Sequence, residues 1–217
     1  MVRIVLVTGG CRSGKSTYAQ ALCQGLLGRK VFIATCPVVD EEMRRRIRRH
    51  QEARPKDWDT VEEPTALASA IRAARQYDVV LVDCLTLWVN NLLYEAGRPA
   101  GPLRGHPAGH PAAQLDEEHV AECCQQVLAA CGEHPGTVVF VTNEVGMGIV
   151  PENAQARLFR DLLGRCNQMV AATADTVVLM VCGIPVPVKG STKASWDAKG
   201  VRAVGRGDPK RVPGGEV

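Results

Sequence analysis

The residues with the clearest chemistry lie near the start, in Gly9-Gly10-Cys11-Arg12-Ser13-Gly14-Lys15-Ser16. The spacing Gly-x4-Gly-Lys-Ser is that of a phosphate-binding P-loop. Gly9, Gly10 and Gly14 let backbone N–H groups curl round a polyphosphate where a Cβ would collide. Lys15 offers a point charge to the outer phosphates and Ser16 a hydroxyl to Mg²⁺. The context fits as well. The apolar or β-branched run Ile4 to Thr8 predicts a strand before the turn, and a helix from Ser16 to about Leu27 would aim its positive end at the same anion. A glycine turn that only resembles the pattern would not need that context. The expected ligand is a nucleoside triphosphate.

Two further residues could act on such a ligand. Asp83 ends the apolar run Val79-Val80-Leu81-Val82, where a carboxylate can hold Mg²⁺ directly or through water. It could equally cap the helix expected next. His50 shares a helical stripe with Met43 and Ile47, which by itself favours a packed structural histidine. However, Arg54 lies just beyond, and arginine is suited to clamping phosphate. A neutral imidazole there could attack an α-phosphorus and carry the nucleotide covalently. The run Arg44-Arg45-Arg46 with Arg48-Arg49 reads more simply as a solvated face than as a nucleic-acid contact. His106 and His110 flank Pro107, which prevents one helix from presenting both to a metal and argues against zinc.

The elements that must position these groups alternate strand and helix. Strands are expected at Val31–Thr35, Val61–Glu62, Val79–Asp83, Thr137–Thr142 and, closing the sheet, Thr176–Val181. Helices are expected at Asp40 to about Glu52, Leu67–Ala74, Cys84–Glu95, Leu115–Cys131 and Asn153 to about Ala172. This predicts an α/β fold of the P-loop NTPase (RecA-like) type: a mostly parallel sheet with helices on both faces. Ligands of such sheets bind at the carboxyl ends of the strands. Thr8, Thr35, Asp83 and Thr142-Asn143-Glu144 should therefore converge on one crevice. Residues 1–189 are expected to form a single domain. Eight of the fifteen residues from Gly97 to Pro111 are Gly or Pro, an insert that cannot build a core, and residues 190–217 read as a flexible basic tail.

Composition narrows the classes. A chain of 217 residues suits one sizeable domain, and a net charge of +3 demands no nucleic-acid partner. Aromatic residues make up only 4%, too few for a base-stacking platform. Nine cysteines, mostly within apolar runs and never as Cys-x-x-Cys, read as reduced small hydrophobes. With no leader-like start and no apolar run long enough to span a bilayer, the expected location is the cytoplasm.

With these residues in place, the chain resembles the bifunctional adenosylcobinamide kinase / adenosylcobinamide-phosphate guanylyltransferases of cobalamin biosynthesis. The resemblance runs from about residue 3 to 189. It is carried by Val7 to Ser16, Ile33-Ala34-Thr35, Asp40-Glu41-Glu42-Met43 with His50, Arg54-Pro55 with Trp58, and Asp83-Cys84-Leu85-Thr86. The most specific stretch is Thr142-Asn143-Glu144-Val145-Gly146-Met147-Gly148-Ile149-Val150-Pro151. The resemblance implies two reactions. A nucleoside triphosphate (ATP or GTP) phosphorylates the aminopropanol hydroxyl of adenosylcobinamide. GMP then passes from GTP to His50, releasing pyrophosphate, and on to the new phosphate. It also implies nucleotide contacts at Gly9, Gly10, Cys11, Arg12, Ser13, Gly14, Lys15, Ser16, Thr35, Cys36, Pro37, Gln51, Glu52, Ala53, Arg54, Glu62 and Asp83. Mg²⁺ is expected at Ser16 and Asp83, with a homo-oligomeric assembly and no nucleic-acid partner. Cys11 departs from the small residue expected there, and Arg44, Arg45, Arg48 and Arg49, the 97–111 insert and the tail lie outside the resemblance.

Overall fold

The computed structural model describes residues 2–36, 57–96 and 115–190. The expected helix from Asp40 to Glu52, the 97–111 insert and the tail beyond residue 190 lie outside the described residues.

Seven strands form one sheet in the order β3-β2-β4-β5-β1-β6-β7. They are β1 (Arg3–Gly9), β2 (Lys30–Ala34), β3 (Asp59–Glu62), β4 (Val79–Asp83), β5 (Thr137–Val141), β6 (Thr176–Val181) and β7 (Ile184–Lys189). The first six run parallel and β7 returns antiparallel to β6. Strands buried on both faces need apolar residues throughout their centre, which is why β1, β4 and β5 carry the unbroken apolar runs Ile4–Val7, Val79–Val82 and Val138–Val141.

Alternate residues feed the two cores. Ile4, Leu6, Val31, Ile33, Val80, Val82, Val138 and Phe140 face one side. There they meet helices α2 (Leu67–Ala73), α3 (Leu85–Ala96), α4 (Glu117–Gly132) and α5 (Ala154–Thr173). Val5, Val7, Phe32, Leu81, Val139 and Val141 face the other, under Ala19, Leu22 and Cys23 of helix α1 (Lys15–Gln24) and Trp58. Helices therefore cover both faces, as the alternation of elements predicts. Polar side chains start two of them: Asp116 accepts from His119 N at 2.9 Å and Asn153 from Ala156 N at 3.0 Å.

Two expectations are corrected. Helix α1 stops at Gln24, short of Leu27, because the chain tightens at Gly25 and Leu26 N bonds Cys23 O at 3.1 Å. Leu27 is left 92% exposed. Nor does Thr176–Val181 close the sheet. Cys182 and Gly183 both adopt positive φ, the pair of conformations a two-residue hairpin turn requires, and β7 follows. Pro185 and Pro187 hide this strand in the sequence, yet an edge strand tolerates proline because its outward N–H has no ladder partner to lose.

Candidate active site

The parallel registers bring the strand ends into one row. Ala34 pairs with both Glu62 and Asp83, Asp83 pairs with Val141, and Val141 pairs with Val7. The residues just beyond this row, from Thr8 through the P-loop, Thr35-Cys36, and Thr142 to Glu144, line one edge of the sheet. Glu62, at the end of edge strand β3, shares the row but is exposed.

The P-loop is shaped for an anion. Gly9 has φ +146°, and a Cβ on it would lie 2.5 Å from Met180 O and 2.9 Å from Ser13 Oγ. Arg12 also takes a positive φ. Ser13 Oγ is buried without a hydrogen-bond partner among the described residues, an orphaned donor within the cradle. Gly183 N donates to Ser13 O at 3.0 Å, so the tip of the β6–β7 hairpin braces the loop. Lys15 opens α1 and folds back, its Nζ donating to Gly10 O at 2.6 Å. Burial lowers its pKa from the ordinary lysine value, opposed by the nearby Cys11, Cys84 and Asp83. Ser16 follows on the first turn of α1, half-buried.

Helix α3 begins at Leu85, and Cys84 O accepts from Trp88 N at 3.1 Å in its first turn. Asp83 sits at the end of β4, two strands from the P-loop with β5 between. Thr35 locks this neighbourhood. Its hydroxyl donates to Cys84 O at 2.7 Å and receives Cys84 N at 2.8 Å. Its carbonyl accepts from Asn91 Nδ2 at 2.8 Å.

A second network ties β5 to the P-loop. Thr8 Oγ1 donates to Glu144 Oε1 at 2.7 Å, and Glu144 N donates to Gly9 O at 3.1 Å. Buried Asn167 of α5 accepts from Thr142 Oγ1 at 2.7 Å and donates to Asn143 O at 3.0 Å and Glu144 Oε1 at 3.2 Å. Thr86 Oγ1 accepts from Asn143 N at 2.7 Å. Sequence reasoning gave Asn91 and Asn167 no role. The available signal was an amide on an otherwise apolar helical stripe, Leu163-Asn167-Val170 and Trp88-Asn91-Leu92, since a buried amide must be satisfied by something nearby.

The structure thus brings together Gly9 to Ser16, Thr35, Cys36, Asp83 and, at the end of the row, Glu62. Pro37, His50, Gln51, Glu52, Ala53 and Arg54 lie outside the described residues. Ser16 and Asp83 supply a hydroxyl and a carboxylate, the hard oxygen donors that Mg²⁺ prefers, and Mg²⁺ ordinarily takes few protein ligands and completes its shell from phosphate and water. No group of three or more His, Cys, Asp or Glu that could hold a metal occurs among the described residues.

A glycine cradle following a central parallel strand, with a buried lysine inside it and a carboxylate at the same sheet edge, defines a nucleotide-binding protein of the P-loop NTPase α/β fold. The sequence pattern of cobinamide kinase / cobinamide phosphate guanyltransferase matches residues 5–188, and the chain belongs to that family. It is 44% identical over 187 residues to the bifunctional adenosylcobalamin biosynthesis protein CobU of Escherichia coli, covering 86% of this chain and 99% of that protein. The Salmonella typhimurium protein of the same name is 46% identical, with the same coverage. The bifunctional adenosylcobalamin biosynthesis protein CobP of Pseudomonas aeruginosa is 39% identical, covering 85% of this chain and 96% of that one. Among solved structures, a type III secretion system ATPase is 12% identical, with a TM-score of 0.48 over 82% of this chain and 51% of that one.

Proposed function

We propose that this chain is a bifunctional enzyme of cobalamin biosynthesis. It phosphorylates the aminopropanol hydroxyl of adenosylcobinamide with a nucleoside triphosphate, then transfers GMP from GTP to give adenosylcobinamide-GDP and pyrophosphate. The observation that carries this reading is an intact anion cradle, Gly9 to Ser16, on a chain that matches the kinase/guanyltransferase family over residues 5–188.

Phosphoryl transfer asks the protein mainly to position the reactants and to compensate charge. In this reading the cradle N–H groups and Lys15 hold the phosphates. Ser16 and Asp83 hold Mg²⁺, which neutralises phosphate charge when bound. His50 takes GMP as a covalent phosphoramidate, since histidine can split one difficult transfer into two easier ones. Thr35, Cys36, Pro37, Gln51, Glu52, Ala53, Arg54 and Glu62 contact nucleotide. Residues 1–189 act as one domain, in a homo-oligomer without a nucleic-acid partner. Its substrates ATP and GTP are cytoplasmic metabolites, and in our reading so is the site of reaction. No described helix is long and apolar enough to cross a membrane.

The test uses two labels. Adenosylcobinamide and γ-labelled ATP should yield a labelled corrinoid phosphate. α-labelled GTP without acceptor should label the protein in an acid-labile, alkali-stable bond that is absent from His50→Ala. A wild-type protein that binds ATP yet transfers no γ-phosphate would refute the kinase half. Unlabelled but nucleotide-binding protein would refute the histidine intermediate.

A further inference from the structure

We propose that Glu144 and the apolar turn after it form the acceptor subsite. Glu144 Oε2 receives the proton of the acceptor hydroxyl, while Met147 and Ile149 seat the acceptor's apolar bulk. This rests on the kinase half of the proposed function.

Three observations converge on it. First, Glu144 follows β5, the strand that lies between the P-loop strand and the Asp83 strand, and its main chain bonds Gly9 directly. An acceptor attacking a γ-phosphate held by the cradle must approach across this edge. Second, both hydrogen bonds to the Glu144 side chain, from Thr8 and Asn167, fall on Oε1. Oε2 makes no hydrogen bond among the described residues. Two donors on one oxygen fix the plane of the carboxylate and leave the other oxygen for a ligand, the arrangement wanted of a positioned base.

Third, the following turn is held from behind while its side chains point away from the core. Arg160 of α5 donates to Gly146 O at 3.1 Å and Arg157 donates to Pro151 O at 3.0 Å. Met147 and Ile149 remain 79% and 96% exposed. A turn pinned at both ends with large apolar side chains in water suits a broad ligand with apolar faces. A corrin ring edged with methyl groups is such a ligand, and its alcohol lies on a side arm that could reach Glu144.

The step balances. The hydroxyl oxygen forms a bond to the γ-phosphorus, the bond from that phosphorus to the β,γ-bridging oxygen breaks to release the nucleoside diphosphate, and the hydroxyl proton passes to Oε2.

The experiment measures both half-reactions of the full chain. Glu144→Gln should lower the kinase kcat by about 10²–10³-fold. ATP affinity, KM for adenosylcobinamide and GMP transfer to pre-formed adenosylcobinamide phosphate should stay within roughly threefold of wild type. The double variant Met147→Ser/Ile149→Ser alters only exposed side chains, so folding is not at stake. It should raise KM for adenosylcobinamide by roughly tenfold or more, with a much smaller effect on kcat. Unchanged kcat in Glu144→Gln, or equal loss of both half-reactions together with weakened ATP binding, would overturn the inference. So would a double variant that changes sedimentation but not KM, which would make the turn a contact between copies of the chain. A wild type that binds ATP but leaves adenosylcobinamide unphosphorylated would overturn the kinase reading, and this inference with it.

Discussion

Replacing Asn167 with alanine tests whether the end of β5 is held by its hydrogen bonds or only by packing. Asn167 makes three such bonds, and their environments differ. Thr142 is fully buried, and without Asn167 its hydroxyl keeps only a 3.4 Å contact with Thr86. An orphaned buried group of this kind costs about 1–3 kcal/mol. Asn143 and Glu144 are only half-buried residues, with water within reach of their oxygens, so each lost bond adds roughly 0.5 kcal/mol. The sum is about 2–4 kcal/mol, which for a domain of this size lowers Tm by roughly 5–15 °C. Thermal unfolding followed by circular dichroism would measure it. Asn167→Asp sharpens the contrast. It keeps an acceptor for Thr142 but turns a carboxylate towards Asn143 O and Glu144, so it should be the less stable variant near neutral pH. Repulsion and burial raise the carboxyl pKa in the folded state, so its stability should recover as pH falls and the acid takes up its proton. If both variants melted within about 1 °C of wild type, the network would carry no load and the reasoning would fail.

Other outcomes follow from the same geometry. Gly9→Ala should cost about 3 kcal/mol or more, because the new Cβ meets the backbone carbonyl of Met180 at 2.5 Å; denaturant titration would read the loss. Lys15→Met should lower ATP affinity, measured by calorimetry, by at least about tenfold while leaving Tm unchanged or slightly raised, because it replaces a buried ammonium with an apolar chain of similar volume. Alkali should unfold the protein steeply. Burial pushes the thiols of Cys23 and Cys131 up to about 12 from 9.0. The unfolded chain therefore gives up these protons above pH 9 while the native state keeps them. Stability is fully present below pH 9 and falls by about 1.4 kcal/mol per pH unit for each thiol until pH approaches 12. A Tm flat from pH 9 to 10.5 would contradict this.

The sequence was most legible where one physical demand dominated. β4 lies at Val79–Asp83 as expected, because a strand buried on both faces must be apolar throughout and a carboxylate marks where it emerges. The P-loop was legible for the opposite reason, since its glycines answer a backbone requirement independent of the rest of the fold. β7 was not legible. Its prolines contradict strand propensity, and only its place at the sheet edge, a tertiary fact, makes them acceptable. Asp83 illustrates an ambiguity that needs coordinates: it ends β4, and the helix starts two residues later at Leu85, with Cys84 between them. Asn167 was visible as an amide in an apolar stripe, but its partners lie on β5 and in the loop after it, and no local pattern names them.

The position of β1 has a consequence for the order in which the protein is built. Its two neighbours are β5, which starts at Thr137, and β6, which starts at Thr176. The nucleotide cradle therefore leaves the ribosome well before either partner of its strand has been made. At about 5–20 residues per second, that leaves the P-loop segment without its first neighbour for roughly 6–26 seconds of synthesis. The Gly183–Ser13 bond that braces the cradle forms later still. Nascent chains released before β6 should carry the nucleotide-binding motif without the ability to bind, so that only molecules that include both neighbours of β1 draw on the pool of ATP and GTP.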